Sequence, residues 1–425
     1  MPSDGSGCIW HNLQKPRQRL SRRLKSCIPG GAVEFTVPPY IRPFLLMEGG
    51  PFYNFQKRAR LIQQHVPLVR RRALAAALLT FFPLLILSMV QGRAFLHVEV
   101  PFVRDFSTYS RFLLAIPLLI LAENILGPRI AIAAAAFVET GIVLPKDYEK
   151  FADITDRGLK SRDSVLAEAL LAILAYALSI VGLKQTAIHA STWYVTRTST
   201  GASVTWAGIW LIGFCAPLFQ FLVYRWLWRL FLWFQFLHRV NNLDLQVFPT
   251  HPDQAGGLGF IGETQRFFGV ILFALSIGIV GAIANDVVYD KIPLQNFTAA
   301  IVSYVILAVL IIAVPLVVFA KRLTRTKYIG LQQYGSLATA YTGLFHKKWI
   351  RNDNPDDEPL LGTADIQSLA DLGNSYSMVE KMKPLPIDLL TLLHLVLAGL
   401  LPMVPLLLAV MPLKDLLKLV LKVFM

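Results

Sequence analysis

Seven long apolar stretches, separated by short and mostly basic connections, constrain this chain more than any other feature in it. A soluble core has no room for so many uninterrupted hydrophobic runs. A bilayer solvates each one as a helix whose backbone groups bond internally. The stretches cover residues 73–90, 109–127, 164–183, 204–224, 267–284, 298–320 and 389–411. Each is close to the ~20 residues that cross about 30 Å of hydrocarbon. Composition agrees, because the chain is 55% hydrophobic and 16% charged, well under the ~25% charge of a soluble domain. The fold class is therefore all-α: a polytopic transmembrane helix bundle.

The positive charges orient the bundle. Of 41 lysines and arginines, 31 fall before the first stretch or in every second connection after it. Nine fall on the opposite side, and Arg266 heads the fifth stretch. Cytoplasmic connections carry such an excess. The bias predicts a cytoplasmic N-terminus and, after seven crossings, a C-terminus outside. A net charge of +14 calls for no nucleic acid, since basic loops facing anionic lipid headgroups account for it. Cys8, Cys27 and Cys215 are scattered and lack metal-ligand spacing, which argues against both a disulfide framework and a zinc site. The first thirty residues hold no apolar run of signal-peptide length, so the first stretch is expected to act as an uncleaved anchor.

Four regions follow. Residues 1–72 form a basic arm, with those before Met47 expected to be disordered or outside the fold. Within that arm, Lys15, Arg17, Arg19, Arg22, Arg23 and Lys25 alternate with apolar side chains. This suits a surface-lying helix, a solvated tail, or a chain whose true start is Met47. Residues 73–320 hold six spans, and 321–387 a cytoplasmic helical connection. In that connection Leu331, Tyr334, Ala338, Tyr341 and Phe345 recur at helical spacing. Beyond an acidic loop, a second helix starts near Asp365 and is expected to end at Gly373-Asn374. Residues 388–425 make the seventh span and a short interfacial helix carrying Lys414, Lys418 and Lys422 on one face.

Ionisable residues gather at one depth. Glu123 lies about a turn from the cytoplasmic end of the second span, and Glu168 about a turn into the third. Arg225 and Arg229, four residues apart, share one face at the inner end of the fourth. Such groups pair, because an unpaired charge facing lipid costs at least ~2.5 kcal/mol at mid-membrane. One reading is structural, with snorkelling arginines and glutamates that tie the bundle together. The other is a proton, ion or ligand site. His251 and Asp253 precede the fifth span and are expected beside this cluster.

The most distinctive string is His251-Pro252-Asp253-Gln254-Ala255-Gly256-Gly257-Leu258-Gly259-Phe260-Ile261-Gly262. Gly256, Gly257 and Gly259 suit a backbone nest for an anion ahead of a helix N-terminus, although no Lys-Ser/Thr ending follows and no strand precedes. His251 and Asp253 could ligate a metal with Glu263 or His238, but no zinc spacing is present and no metal is expected; as base and orienting acid they lack an apparent nucleophile. The plain alternative is a tight turn. In the fifth span Ala274, Gly278 and Ala282 make a small-residue stripe fit for packing within the bundle or between protomers of a homo-oligomer.

Several strings together carry a resemblance. They are the run from Arg111 to Glu123, Arg225-Trp226-Leu227-Trp228-Arg229, the His251–Gly262 string, and the run from Asp365 to Ser375. Over roughly Met47 to the C-terminus the chain resembles a group of bacterial multi-pass inner-membrane proteins of unknown function. The resemblance implies an inner-membrane location and brings no activity, cofactor or catalytic residue with it. No cofactor motif is present, and none is expected. The leading functional expectation is passage or binding of a small ion or polar solute. An enzyme acting on a lipid headgroup or phosphate, and a scaffold or sensor subunit, are the alternatives.

Overall fold

The computed structural model describes residues 37–61, 69–95, 98–189, 192–198, 201–351 and 364–406. In chain order its principal helices are α1 (Pro51–Arg58), α2 (Val69–Val90), α3 (Phe106–Glu139), α4 (Tyr148–Arg162), α5 (Val165–His189), α6 (Trp206–Asn241), α7 (Gly259–Val288), α8 (Leu294–Val317), α9 (Ala320–Phe345), α10 (Ala364–Glu380) and α11 (Leu389–Leu406). Seven of them, α2, α3, α5, α6, α7, α8 and α11, are long and apolar enough to cross a membrane. The molecule is a multi-pass helical membrane protein. One antiparallel hairpin, β1 (Val195–Thr198) and β2 (Gly201–Val204), joins α5 to α6, with Val195 opposite Val204. The C-terminal interfacial helix, residues 1–36 and most of the acidic loop lie outside the described residues.

Successive spans alternate in direction, so the bundle has a basic end, where α2 begins at Arg70-Arg71-Arg72, and a far end carrying the hairpin. Half of the apolar window of α3 and of α7 is buried inside the protein, against 17% for α5 and 22% for α8. The first two are therefore interior helices, and the last two face lipid on most sides. The outward residues of α8, including Ile306, Leu310 and Val314, are exposed and apolar, as a hydrocarbon solvent allows.

Two spans exceed expectation. Pro128, read from the sequence as the end of the second span, lies inside α3, which runs 34 residues; α6 runs 36. A proline removes one ladder bond and kinks a helix, but packing on both sides can hold the helix together. Past Glu123 and Arg225, α3 and α6 each continue at the basic end for sixteen residues, more than four turns. There they build an aromatic core with Phe44, Phe137, Phe151, Trp233, Phe236, Phe260 and Phe319. Trp226 and Trp233 point into the protein: Trp226 donates to the Leu119 carbonyl and Trp233 to Gln265 Oε1.

Residues just before Met47 also correct the sequence reading. Ile41, Phe44 and Leu46 are buried in the main core, and Phe44 stacks on Phe236 with ring centroids 4.4 Å apart. That segment belongs to the fold. Gly373-Asn374 does not stop α10, which continues to Glu380 and packs against α9.

Candidate functional site

Four spans contribute to a buried ion-pair cluster at the basic end. Glu123 of α3 is its centre: Oε1 accepts from Arg225 Nη1 at 2.8 Å and Arg229 Nη1 at 2.9 Å, and Oε2 from Arg72 Nη2 at 2.7 Å. Arg225 Nε reaches Glu168 Oε1 of α5 at 3.3 Å. All five side chains are buried. Three guanidinium groups thus meet two carboxylates, with one positive charge in excess. Each acid would be costly at this depth without its partners, and their multiplicity offsets the desolvation of both.

Chain from before α2 covers the cluster. The second carboxylate oxygen of Glu168 accepts from the Phe52 N–H at 2.6 Å, in the first turn of α1. A carboxylate at a helix N-terminus satisfies an unpaired donor and faces the positive end of the helix dipole. The Phe52 ring lies 5.1 Å from the Arg225 guanidinium, and Arg229 Nη2 donates to the Met47 carbonyl at 3.4 Å. Nearby, Asp163 accepts from the Gly50 N–H and Arg162 donates to the Leu45 carbonyl. The four residues Glu123, Glu168, Arg225 and Arg229 therefore meet. Arg72 and the Met47–Phe52 segment were not assigned to the cluster from the sequence. A signal for Arg72 existed: Val69, Arg72, Ala73, Ala77, Thr80, Leu84 and Ser88 follow helical spacing and are all buried.

His251 and Asp253 are not part of this cluster. Asp253 turns its carboxylate into its own loop, Oδ1 accepting from the N–H groups of Ala255 at 2.8 Å and Gly257 at 3.1 Å, and Oδ2 from Gly259 at 2.8 Å. His251 Nδ1 lies 2.7 Å from Asp253 Oδ1. Burial pushes this carboxyl up, but the three backbone donors and His251 outweigh it and hold the group below the ordinary aspartate value. The expected anion nest at Gly256, Gly257 and Gly259 is thus filled by the chain's own carboxylate. Gly256 and Gly257, with φ of +67° and +97°, supply the left-handed turn, and a side chain at Gly262 would strike the Pro386 carbonyl. Among the described residues no three His, Cys, Asp or Glu side chains converge as a metal site requires.

On the far-end side of the cluster lies a half-enclosed cavity of about 830 Å³. It runs from Thr192 and Asp290 down to Tyr224, whose sequence neighbour is Arg225. Its walls come from α3, α5, α6, α7 and α8. Two of these helices widen where they border it, into π-helical turns at Tyr109–Ala115 and Leu211–Cys215, a feature frequent at functional sites. Gly278 and Ala282 of the small-residue stripe also face it, so that stripe leaves space as well as packing closely.

Among the polar groups of the cavity wall, Arg111, Gln220 and Asp286 stand without a side-chain partner among the described residues. Arg111 has no carboxylate within ion-pairing distance; its Cγ would lie 3.8 Å from a Cβ placed on Gly278. Gln220 Oε1 is buried and accepts nothing. Asp286, half-buried, also stands unpaired, with Asp290 exposed near it at the mouth. By contrast Asp105 is fully engaged, capping α3 through Ser107 and Thr108 and accepting from Trp193 and Asn285.

No protein-family model, curated protein or solved structure matches this chain.

Proposed function

We propose that the protein is a multi-pass component of the bacterial inner membrane, with its N-terminus in the cytoplasm, that binds a small polar solute within the membrane as a step in its passage. One observation carries this reading: a cavity large enough for a small organic molecule stops at a layer of buried ion pairs. Ligand pockets typically enclose about 300–1,000 Å³. With the charge bias taken as cytoplasmic, the cavity lies on the periplasmic side and Arg72, Glu123, Glu168, Arg225 and Arg229 close the way to the cytoplasm. The intramembrane glutamates then act as part of a closure held by their arginines. The enzyme alternative at His251 and Asp253 has less support, since both groups are engaged within their own turn.

Thiol labelling tests the reading. Cys8, Cys27 and Cys215 are first replaced by serine or alanine, and a single cysteine is introduced as Gln220→Cys or as Phe52→Cys. A membrane-impermeant maleimide added to the periplasmic face should modify the cysteine at 220 and not the one at 52. Equal protection of both in folded protein removes the periplasmic cavity from the proposal. Equal labelling of both removes the closure.

A further inference from the structure

A second recess adjoins the cavity. It is an apolar crevice of about 180 Å³ between α6, α7 and α8, lined by residues such as Leu230, Phe268, Ile271, Ala308 and Ile312. Val223, Leu275 and Tyr304 belong to both walls, so the two spaces meet there. Tyr304 is ten residues into α8, or ~15 Å along the helix, which puts the junction near mid-membrane. The polar cavity therefore occupies the far half of the bilayer and the crevice the basic half. Leu227, Leu307 and Ile311 on the crevice rim are exposed to lipid, so a hydrocarbon chain has sideways entry.

The charges of the cavity are ordered along the same axis. Arg111 faces Gly278, while Asp286 lies eight residues, ~12 Å, further toward the far end on α7, with Asp290 beyond it. A purely anionic head would meet two acids on the way to the arginine. A purely cationic one would end against the arginine. A head carrying both charges matches this order.

The geometry points to a single-chain zwitterionic amphiphile as the ligand, its anionic group at Arg111, its cationic group toward Asp286 and Asp290, and its acyl chain in the crevice below Tyr304. This rests on the solute-binding reading above and narrows its substrate class. The hydrocarbon leaves a lipid environment for a similar one, so recognition lies in the head. The crevice sets which way the molecule points.

The test uses the full chain in non-ionic maltoside micelles. Binding of a fluorescent single-chain phosphoethanolamine amphiphile is compared with free phosphoethanolamine and with an amphiphile of the same chain and an alcohol head. The zwitterionic amphiphile should bind most tightly. Arg111→Gln should weaken it about tenfold or more, as loss of a charge-assisted hydrogen bond does, and Arg111→Lys should restore part of that loss. Ala308→Phe, which fills the crevice, should weaken the amphiphile and leave free phosphoethanolamine unchanged. Thermal melting establishes that each variant is folded. If free phosphoethanolamine binds as tightly as the amphiphile and Ala308→Phe is silent, the chain-binding inference fails while solute binding stands. If the alcohol-headed amphiphile binds equally well, headgroup recognition fails. If folded protein binds none of the three, the inference is overturned and the polar-solute reading loses its support.

Discussion

Glu123 touches three arginines while being 7% exposed, so its carboxylate is worth more to the fold than any one guanidinium around it. Removing Arg225 leaves Glu123 paired to Arg72 and Arg229, and Glu168 with the Phe52 N–H. Removing Glu123 leaves three buried guanidinium groups with one carboxylate among them. Breaking a buried pair from one side typically costs ~3–5 kcal/mol. Glu123→Gln should therefore lower stability in detergent by about that much, and Arg225→Gln by less. In a cycle that combines the two, the double variant should recover at least ~1 kcal/mol relative to the sum of the singles. Strict additivity in unfolding measurements would show that the two side chains are not coupled.

At the scale of helices, α7 decides the packing. Ala274, Gly278 and Ala282 looked from sequence like one uniform packing stripe, yet in the fold the stripe has two roles. Ala274 is fully buried, whereas Gly278 and Ala282 line the cavity wall. Gly281, one residue off the stripe, makes the tighter approach: a side chain there would strike Ser110 and the Phe106 carbonyl of α3. Gly281→Leu should lower the melting temperature, consistent with ~1–3 kcal/mol of overpacking, since both neighbours belong to a helix that cannot yield locally. Ala282→Leu, which points into open volume, should change melting little. The comparison fails if the two substitutions destabilise equally. The π-helical turns at Tyr109–Ala115 and Leu211–Cys215 were not legible beforehand, because no residue pattern separates a widened turn from an ordinary one in an apolar run.

For the molecule as a whole, the charge asymmetry and the odd number of spans lead to opposite compartments for the connection after α9 and for the chain's end. Reporter fusions at Pro355 and Met425 should read cytoplasm and periplasm respectively. A cytoplasmic signal from both would mean that the last apolar stretch turns back at Pro402 and Pro405 and does not cross. The larger architecture also joins two solvents. Lipid-facing apolar surface surrounds the spans, while at the basic end α3 and α6 run on into an aromatic core where Phe44 packs with Trp233 and Phe236.

Much of this was determined by the sequence alone. Seven helices, their order and their alternation follow from the need of each apolar stretch to satisfy its backbone internally, which acts on each stretch separately. The meeting of Glu123 and Glu168 with Arg225 and Arg229 was legible as well, because an unpaired charge at that depth is costly and few partners share it. Depth along a span says nothing about rotation around its axis. Arg72 entering the cluster, Glu168 capping α1 at the Phe52 N–H and Arg111 facing an open cavity all depend on that rotation, and packing between helices sets it. The same limit explains His251 and Asp253. The sequence brought both to the correct end of the bundle, but only the folded turn decided that Asp253 would bind its own backbone and leave the cluster to others.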